Sequence, residues 1–305
     1  MHGRRRDWWA ASLGLALTVA VNCAASADVE RLSLERKIGP YAIRIYDVLA
    51  TNRDPAPLQQ ILRIARDEKI LATVEDYRVT LEPHLPNPPR GHKPPSIGAN
   101  VIGGSEPNVL VYRHTGGARC CHEVDVFELG SEVRKLDSLY GGDAPVLFYD
   151  VDGDGVIEAT LRDGIFAYWR ADFAESPLVT VRLTFDRQSQ RYRLAAALMR
   201  KLGPSPADVP KRAERLRVDS GWSMDGRARV APALWAAMLD YVYSGQIPAA
   251  RQLMDLSWPS GLDGKAAFYD ELMKCQLRYS AFWSDIADLN GLPDDDPEGN
   301  CPGPQ

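Results

Sequence analysis

The sequence predicts an α+β protein in which an antiparallel, β-rich domain precedes a helical C-terminal domain. Between about residues 97 and 200, short apolar or alternating runs such as "NVLVYRH", "EVDVFELG" and "PLVTVRLTF" are bounded by Gly, Asp, Ser and Pro, the mark of strands joined by turns. From 231 to 292 the apolar residues recur instead at helical spacing. Proline-rich stretches at 83–96 and 201–230 set these blocks apart as linkers.

Taken in order, residues 1–27 read as a secretory signal peptide. Arg4, Arg5 and Arg6 precede an apolar run from about Trp8 to Val21, and small residues ending Ala25-Ser26-Ala27 place cleavage before Asp28. The run is shorter than the roughly 20 residues needed to cross a bilayer, and no later stretch suits an integral membrane span. Loss of this leader takes the net charge from −5 to about −7. An acidic chain without a basic stripe excludes nucleic acid as the expected partner, since phosphates demand Lys and Arg. A periplasmic or secreted location follows, with an unknown protein or glycan as the expected ligand. Of the five cysteines, Cys120, Cys121, Cys275 and Cys301 remain after cleavage, and export makes disulfides the default. Cys275 with Cys301 is the favoured pair, because the tail "LPDDDPEGNCPGPQ" has little apolar material to hold it down. That leaves the adjacent Cys120 and Cys121 as a vicinal pair or as free thiols.

Residues 28–82 form a mixed, largely β segment. "YAIRIYDV" alternates like a strand, and "DYRVTLEP" has strand chemistry. "LQQILRIARDEK" fits either a helical stripe through Leu58, Ile61, Leu62 and Ala65 or a hairpin turning at Asp67-Glu68. Within 97–200, "VRKLDSLY", "PVLFYDV" and "IEATLRD" complete the strands. In the helical domain, Leu234, Trp235, Met238, Leu239 and Val242 make one stripe. "IPAARQLMDLSWP" starts with Pro248 in its first turn. A single longer helix is expected to place Phe268, Leu272, Cys275, Tyr279, Phe282 and Ile286 on one face. Residues 293–305 read as a flexible tail.

"DVDGDGVIEA", from Asp150 to Ala159, carries the clearest chemistry. Three aspartates alternate in a turn where like charges repel, which a bound cation relieves. Calcium takes six to eight oxygens and suits carboxylates converging from one short loop. Side chains at positions 1, 3 and 5 give Asp150, Asp152 and Asp154, the Val156 carbonyl faces inward, and Glu158 closes the sphere. An EF-hand is excluded, because its twelfth position is Leu161 here and "VLFY" and "IEATL" flank the loop as strands. The stretch resembles the D-x-D-x-D-G-x-x-[DE] calcium loop of FG-GAP (VCBS-type, integrin-like) repeats. That resemblance implies a propeller-blade-like setting between two strands, a structural calcium ion, and Asp150, Asp152, Asp154 and Glu158 as side-chain ligands with Val156 giving its carbonyl. An earlier stretch, "NVIGGSEPNVLVYR", aligns with it and sets Asn100 and Asn108 where Asp150 and Glu158 stand. If the two are duplicates, the first has lost its ion.

Two other clusters were weighed. His114, Cys120, Cys121 and His122 offer a zinc site or a Cys–His nucleophile, against a plain glycine turn beside inert sulfur. Asp163, Phe166, Tyr168 and Trp169 offer a sugar-stacking platform, against packing of the sheet on the helices. Trp222, Trp235, Trp258 and Trp283 read as core. No phosphate-binding loop, G-x-S-x-G elbow or H-E-x-x-H is present. The expected function is that of an exported, calcium-stabilised binding or structural protein without catalytic residues. The alternative is an exported hydrolase or glycan-binding protein acting on cell-wall or polysaccharide material.

Overall fold

The structure, a computed structural model, describes residues 29–49, 59–83, 88–117, 120–218, 230–295 and 301. The expected signal peptide, Trp222 and most of the C-terminal tail lie outside the described residues.

Three antiparallel sheets of four strands stack with a helical layer. The first is a meander of β1 (Val29–Ile38), β2 (Tyr41–Leu49), β3 (Gln59–Arg66) and β4 (Lys69–Asp76). Tyr41, Ile43 and Ile45 alternate into the core, and Ile43 and Ile45 sit opposite Ile64 and Leu62 of β3. The ambiguous stretch is therefore a hairpin. Its turn residues Asp67 and Glu68 hold φ of 50° and 61°, the left-handed pair that matches strand twist. Ile61 and Ala65 are buried on the opposite face of β3 from Leu62 and Ile64, which is why the run imitates a helical stripe.

The second sheet runs β5 (Arg78–Thr80), β6 (Asn108–His114), β7 (His122–Leu129) and β8 (Val133–Gly142). It is the middle layer. Val109, Val111, Phe127 and Leu129 share a core with Ile43, Ile45, Leu62 and Ile64 of the first sheet. Tyr112, Val124, Val126 and Leu139 join the larger core on the other side. A strand covered on both faces loses its alternation, as "VDVF" does.

The third sheet has the order β12-β11-β10-β9, from β9 (Leu147–Tyr149), β10 (Glu158–Asp163), β11 (Val179–Asp186) and β12 (Arg191–Leu194). Phe148, Ala159, Leu161, Val181 and Leu183 are buried with the helices. The outer edge of β12 is closed by carboxylates. Tyr192 N donates to Asp137 Oδ2 at 2.7 Å and Leu194 N to Asp285 Oδ2 at 2.8 Å, which removes an open template for strand addition.

The helices are α1 (Ala196–Leu202), α2 (Val209–Val218), α3 (Pro232–Val242), α4 (Ile247–Ser257), α5 (Lys265–Asp270) and α6 (Trp283–Asn290). Pro206 opens a short 3-10 turn and Pro210 the first turn of α2, positions where a missing N–H costs nothing. The α3 stripe of Leu234, Trp235, Met238, Leu239 and Val242 is buried as its spacing requires.

The expected single helix through Phe268 and Ile286 is corrected by the structure. After α5 the chain takes a π turn at Glu271–Cys275 and a 3-10 turn at Gln276–Tyr279, then extends at Ser280 before α6. Bonds to the sheet account for the break. Gln276 Nε2 donates to Ile165 O, and Ser280 Oγ to Asp163.

Cys275 and Cys301 stand at disulfide distance, with Cα atoms 5.4 Å apart and a sequence separation of 26. Cys120 and Cys121 form a vicinal pair.

Candidate metal centre

The Asp150–Glu158 loop joins β9 to β10, so its two ends are neighbouring strands that pair Tyr149 with Glu158 and Phe148 with Ala159. Gly153 and Gly155 hold φ of 83° and 90°, which a branched residue resists. That backbone points N–H groups inward at the first side chain. Asp150 Oδ1 accepts from Gly153 N at 2.6 Å, and Oδ2 from Gly155 N at 2.9 Å. The Gly155 N–H, helped by Gly153, holds the Asp150 carboxyl below its usual range. Asp154 Oδ1 accepts from Val156 N at 2.8 Å, and the Val156 side chain is exposed.

Asp150, Asp152 and Asp154 each bring one carboxylate oxygen within 4.8 Å of the others. These are all-oxygen, hard donors of the kind that suits calcium and not a thiolate-seeking ion. Glu158 stands just outside this group. It is 4 % exposed, and its Oε2 accepts from Val151 N at 2.9 Å. Burial pushes its carboxyl up, and the charges of Asp154, Asp152 and Asp150 push the same way.

Two further residues, invisible to a reading of the loop, belong to this neighbourhood. Lys201 Nζ, from α1, lies 2.8 Å from Asp152 Oδ2, and that contact raises the ammonium's pKa. His92, from the proline-rich stretch, sets Nδ1 2.8 Å from the Asp150 carbonyl and its ring 4.9 Å from Tyr149. Nothing local in the sequence ties either to the loop, and only the proline-rich chain leading to His92 signals that something is held in place.

The Asn100–Asn108 loop repeats this frame. Asn108 Oδ1 accepts from Val101 N at 2.8 Å, as Glu158 does from Val151 N. Asn100 Oδ1 accepts from Ile102 N at 3.2 Å and Gly104 N at 2.9 Å, one residue earlier in register than the Gly153 and Gly155 amides that Asp150 binds. Gly103, aligned with Gly153, holds φ of 72°. No carboxylate follows at 102 or 104. Arg187 lies over the turn instead, where a side chain at Gly103 would meet its Nη2 at 3.5 Å.

The other candidates resolve differently. His114 and His122 face each other across β6 and β7 with ring centres 4.7 Å apart. Cys120 and Cys121 are bonded to each other, and a side chain at Gly117 would collide with both sulfurs. The one group of three or more metal-binding side chains among the described residues is the aspartate triad. Phe166 and Trp169 pack with Trp235 and Phe268 in the core, so the stacking platform is not on the surface, although Tyr168 is 50 % exposed. Asp163 is buried with its oxygens taken by Ile165 N at 3.0 Å, Tyr243 Oη at 2.7 Å and Ser280 Oγ. No helix among the described residues is long and apolar enough to cross a membrane.

Fold and site together define an α+β protein of stacked antiparallel sheets with an aspartate-rich loop between adjacent strands. No protein-family model matches the chain, and comparison with the curated proteins and with the solved structures finds no match.

Proposed function

We propose that the protein is an exported binding module whose sheet layers are stabilised by one calcium ion in the Asp150–Glu158 loop. The observation that carries this reading is a surplus of charge. The first loop makes the matching bond at its far end, from Val101 N to Asn108, and closes its turn on the Asn100 amide oxygen, both with neutral side chains. A turn of this kind thus needs oxygen acceptors at its two ends and no carboxylates at the positions of Asp152 and Asp154. The second loop nevertheless gathers three carboxylates within 4.8 Å and faces them with a single ammonium. Such a cluster is repulsive unless a cation sits among the oxygens.

Asp150, Asp152 and Asp154 would hold the ion, with the Val156 carbonyl and Glu158 completing its oxygen shell. Bound there, the ion supplies charge neutralisation and ties β9 to β10. The loop-and-strand unit, present twice, is what remains of the propeller-blade resemblance. A hydrolase built on Cys120 and His122 has no thiolate while the two sulfurs are bonded to each other. Asp163 has no free oxygen to act as acid or base. These features favour binding over turnover, with a protein or glycan as the partner.

Calorimetric melting of the chain from Asp28 onward tests the reading. Millimolar calcium at about a hundred times its dissociation constant adds roughly 2.7 kcal/mol over a chelated sample. That is a rise in Tm of roughly 5 °C for a chain of this size. An unchanged melting curve contradicts it.

A further inference from the structure

A cavity of about 540 Å³, within the range of small-molecule sites, lies between the start of β11 and the helices α1 and α3. Its lining follows the periods of these elements. Thr180 and Arg182 are two apart on the strand, and Met199 and Leu202 three apart on α1. Ala236 and Asp240 are four apart on α3. A side chain at Gly203 would collide with Ser244, so the end of α1 is packed directly against the end of α3.

Arg182 is the residue that folding leaves unexplained. It is half-buried, and its Nε is fully buried with no hydrogen-bond partner. No carboxylate among the described residues pairs with its guanidinium. Arg162 and Arg193 share its face of the sheet by register, and they pair with Asp143 and Asp285. Thr160, directly across from Arg182 on β10, likewise has a buried hydroxyl without a partner. A buried donor without an acceptor costs stability, so packing alone gives no reason for an arginine here.

The remaining lining defines what fits. Asp240 is the one carboxylate in it among the described residues, and its Oδ2 lies 2.5 Å from the Arg212 guanidinium of α2, which neutralises it. The cavity keeps the positive charge of Arg182. Around that charge the walls are aliphatic, with Leu178, Met199 and Leu202, the last 48 % exposed. A guanidinium offers a planar fork of donors that matches a carboxylate. Aliphatic walls suit a hydrocarbon chain.

We propose that this cavity binds a monocarboxylate with an aliphatic body, its head group on Arg182 and its chain along Met199 and Leu202. The inference goes beyond the function proposed above and draws on no residue of the calcium loop.

Titration calorimetry with octanoate, octanol, octylammonium and acetate separates head group from chain. Octanoate should bind once per chain, at least tenfold tighter than octanol or octylammonium, and acetate should give no measurable heat. Arg182→Met should weaken octanoate at least tenfold. Without ligand that variant should melt no lower than the parent, since the change removes a charge that pairs with nothing. Leu202→Glu, at an exposed position, should fold as the parent does and also weaken octanoate. The proposal is overturned if octanoate does not bind, if octanol binds equally well, or if octanoate binding survives Arg182→Met or Leu202→Glu. A lower melting temperature of ligand-free Arg182→Met also overturns it, because the arginine would then belong to the fold.

Discussion

The loops Asn100–Asn108 and Asp150–Glu158 share the bond from the second residue's amide to the last side chain and differ in what fills them. In the first, amide oxygens of Asn100 and Asn108 satisfy the turn, and a guanidinium from Arg187 lies over its glycine. In the second, Glu158 takes the place of Asn108, Asp150 binds the Gly153 and Gly155 amides, two more aspartates are added, and Lys201 approaches from α1. The contrast separates two roles that one loop alone would confuse. Acceptors at the two ends build the turn, and the proposal assigns the carboxylates in between to an ion.

The largest effect that would break this comparison is at Asn108. It is 2 % exposed, and its Oδ1 serves both Val101 N and Ile102 N. Asn108→Ala leaves the buried Val101 amide without an acceptor, while Ile102 N keeps Asn100 Oδ1, and should cost about 1–3 kcal/mol, read as a fall in denaturant midpoint, while calcium uptake stays as in the parent. If stability is unchanged, Asn108 is not part of a shared frame. A smaller effect comes from adding charge. Asn100→Asp, Ile102→Asp and Gly104→Asp together should give the first loop a calcium site of its own. Equilibrium dialysis should then find a second ion per chain, weaker than the first because Arg187 competes for the same carboxylates. A single ion would mean that the two frames are not equivalent. The smallest effect is at Lys201, whose ammonium occupies an oxygen of Asp152. Lys201→Ala should tighten calcium about threefold with little change in the calcium-free Tm, since a solvent-exposed pair is screened and contributes little. Weaker binding would assign Lys201 a supporting role.

Much of this architecture was legible in the chain. "NVLVYRH" coincides with β6, residue for residue, because β-branched and aromatic residues bounded by turn signals admit few other readings. The helical stripe of α3 and the Cys275–Cys301 pairing likewise stand as expected. β12 was not legible: "RYRL" is four residues long and half arginine, and its outer edge depends on Asp137 and Asp285 far away in sequence. The break after α5 was hidden for a similar reason. The periodicity of Phe268, Leu272 and Ile286 continues through it, while bonds from Gln276 and Ser280 to β10 and the turn after it pull the backbone out of helix. At the aspartate loop the carboxylates announced themselves by their spacing, whereas Lys201 and His92 arrive through tertiary folding and leave no local trace.

Calcium titration by calorimetry on the chelated chain from Asp28 onward addresses the surplus-charge account most directly. The account predicts uptake of one ion per chain in the parent and loss of that uptake in Asp152→Ala, a variant that keeps every backbone bond made by Asp150 and Glu158. No measurable uptake by the parent, or the same uptake after Asp152→Ala, would contradict it.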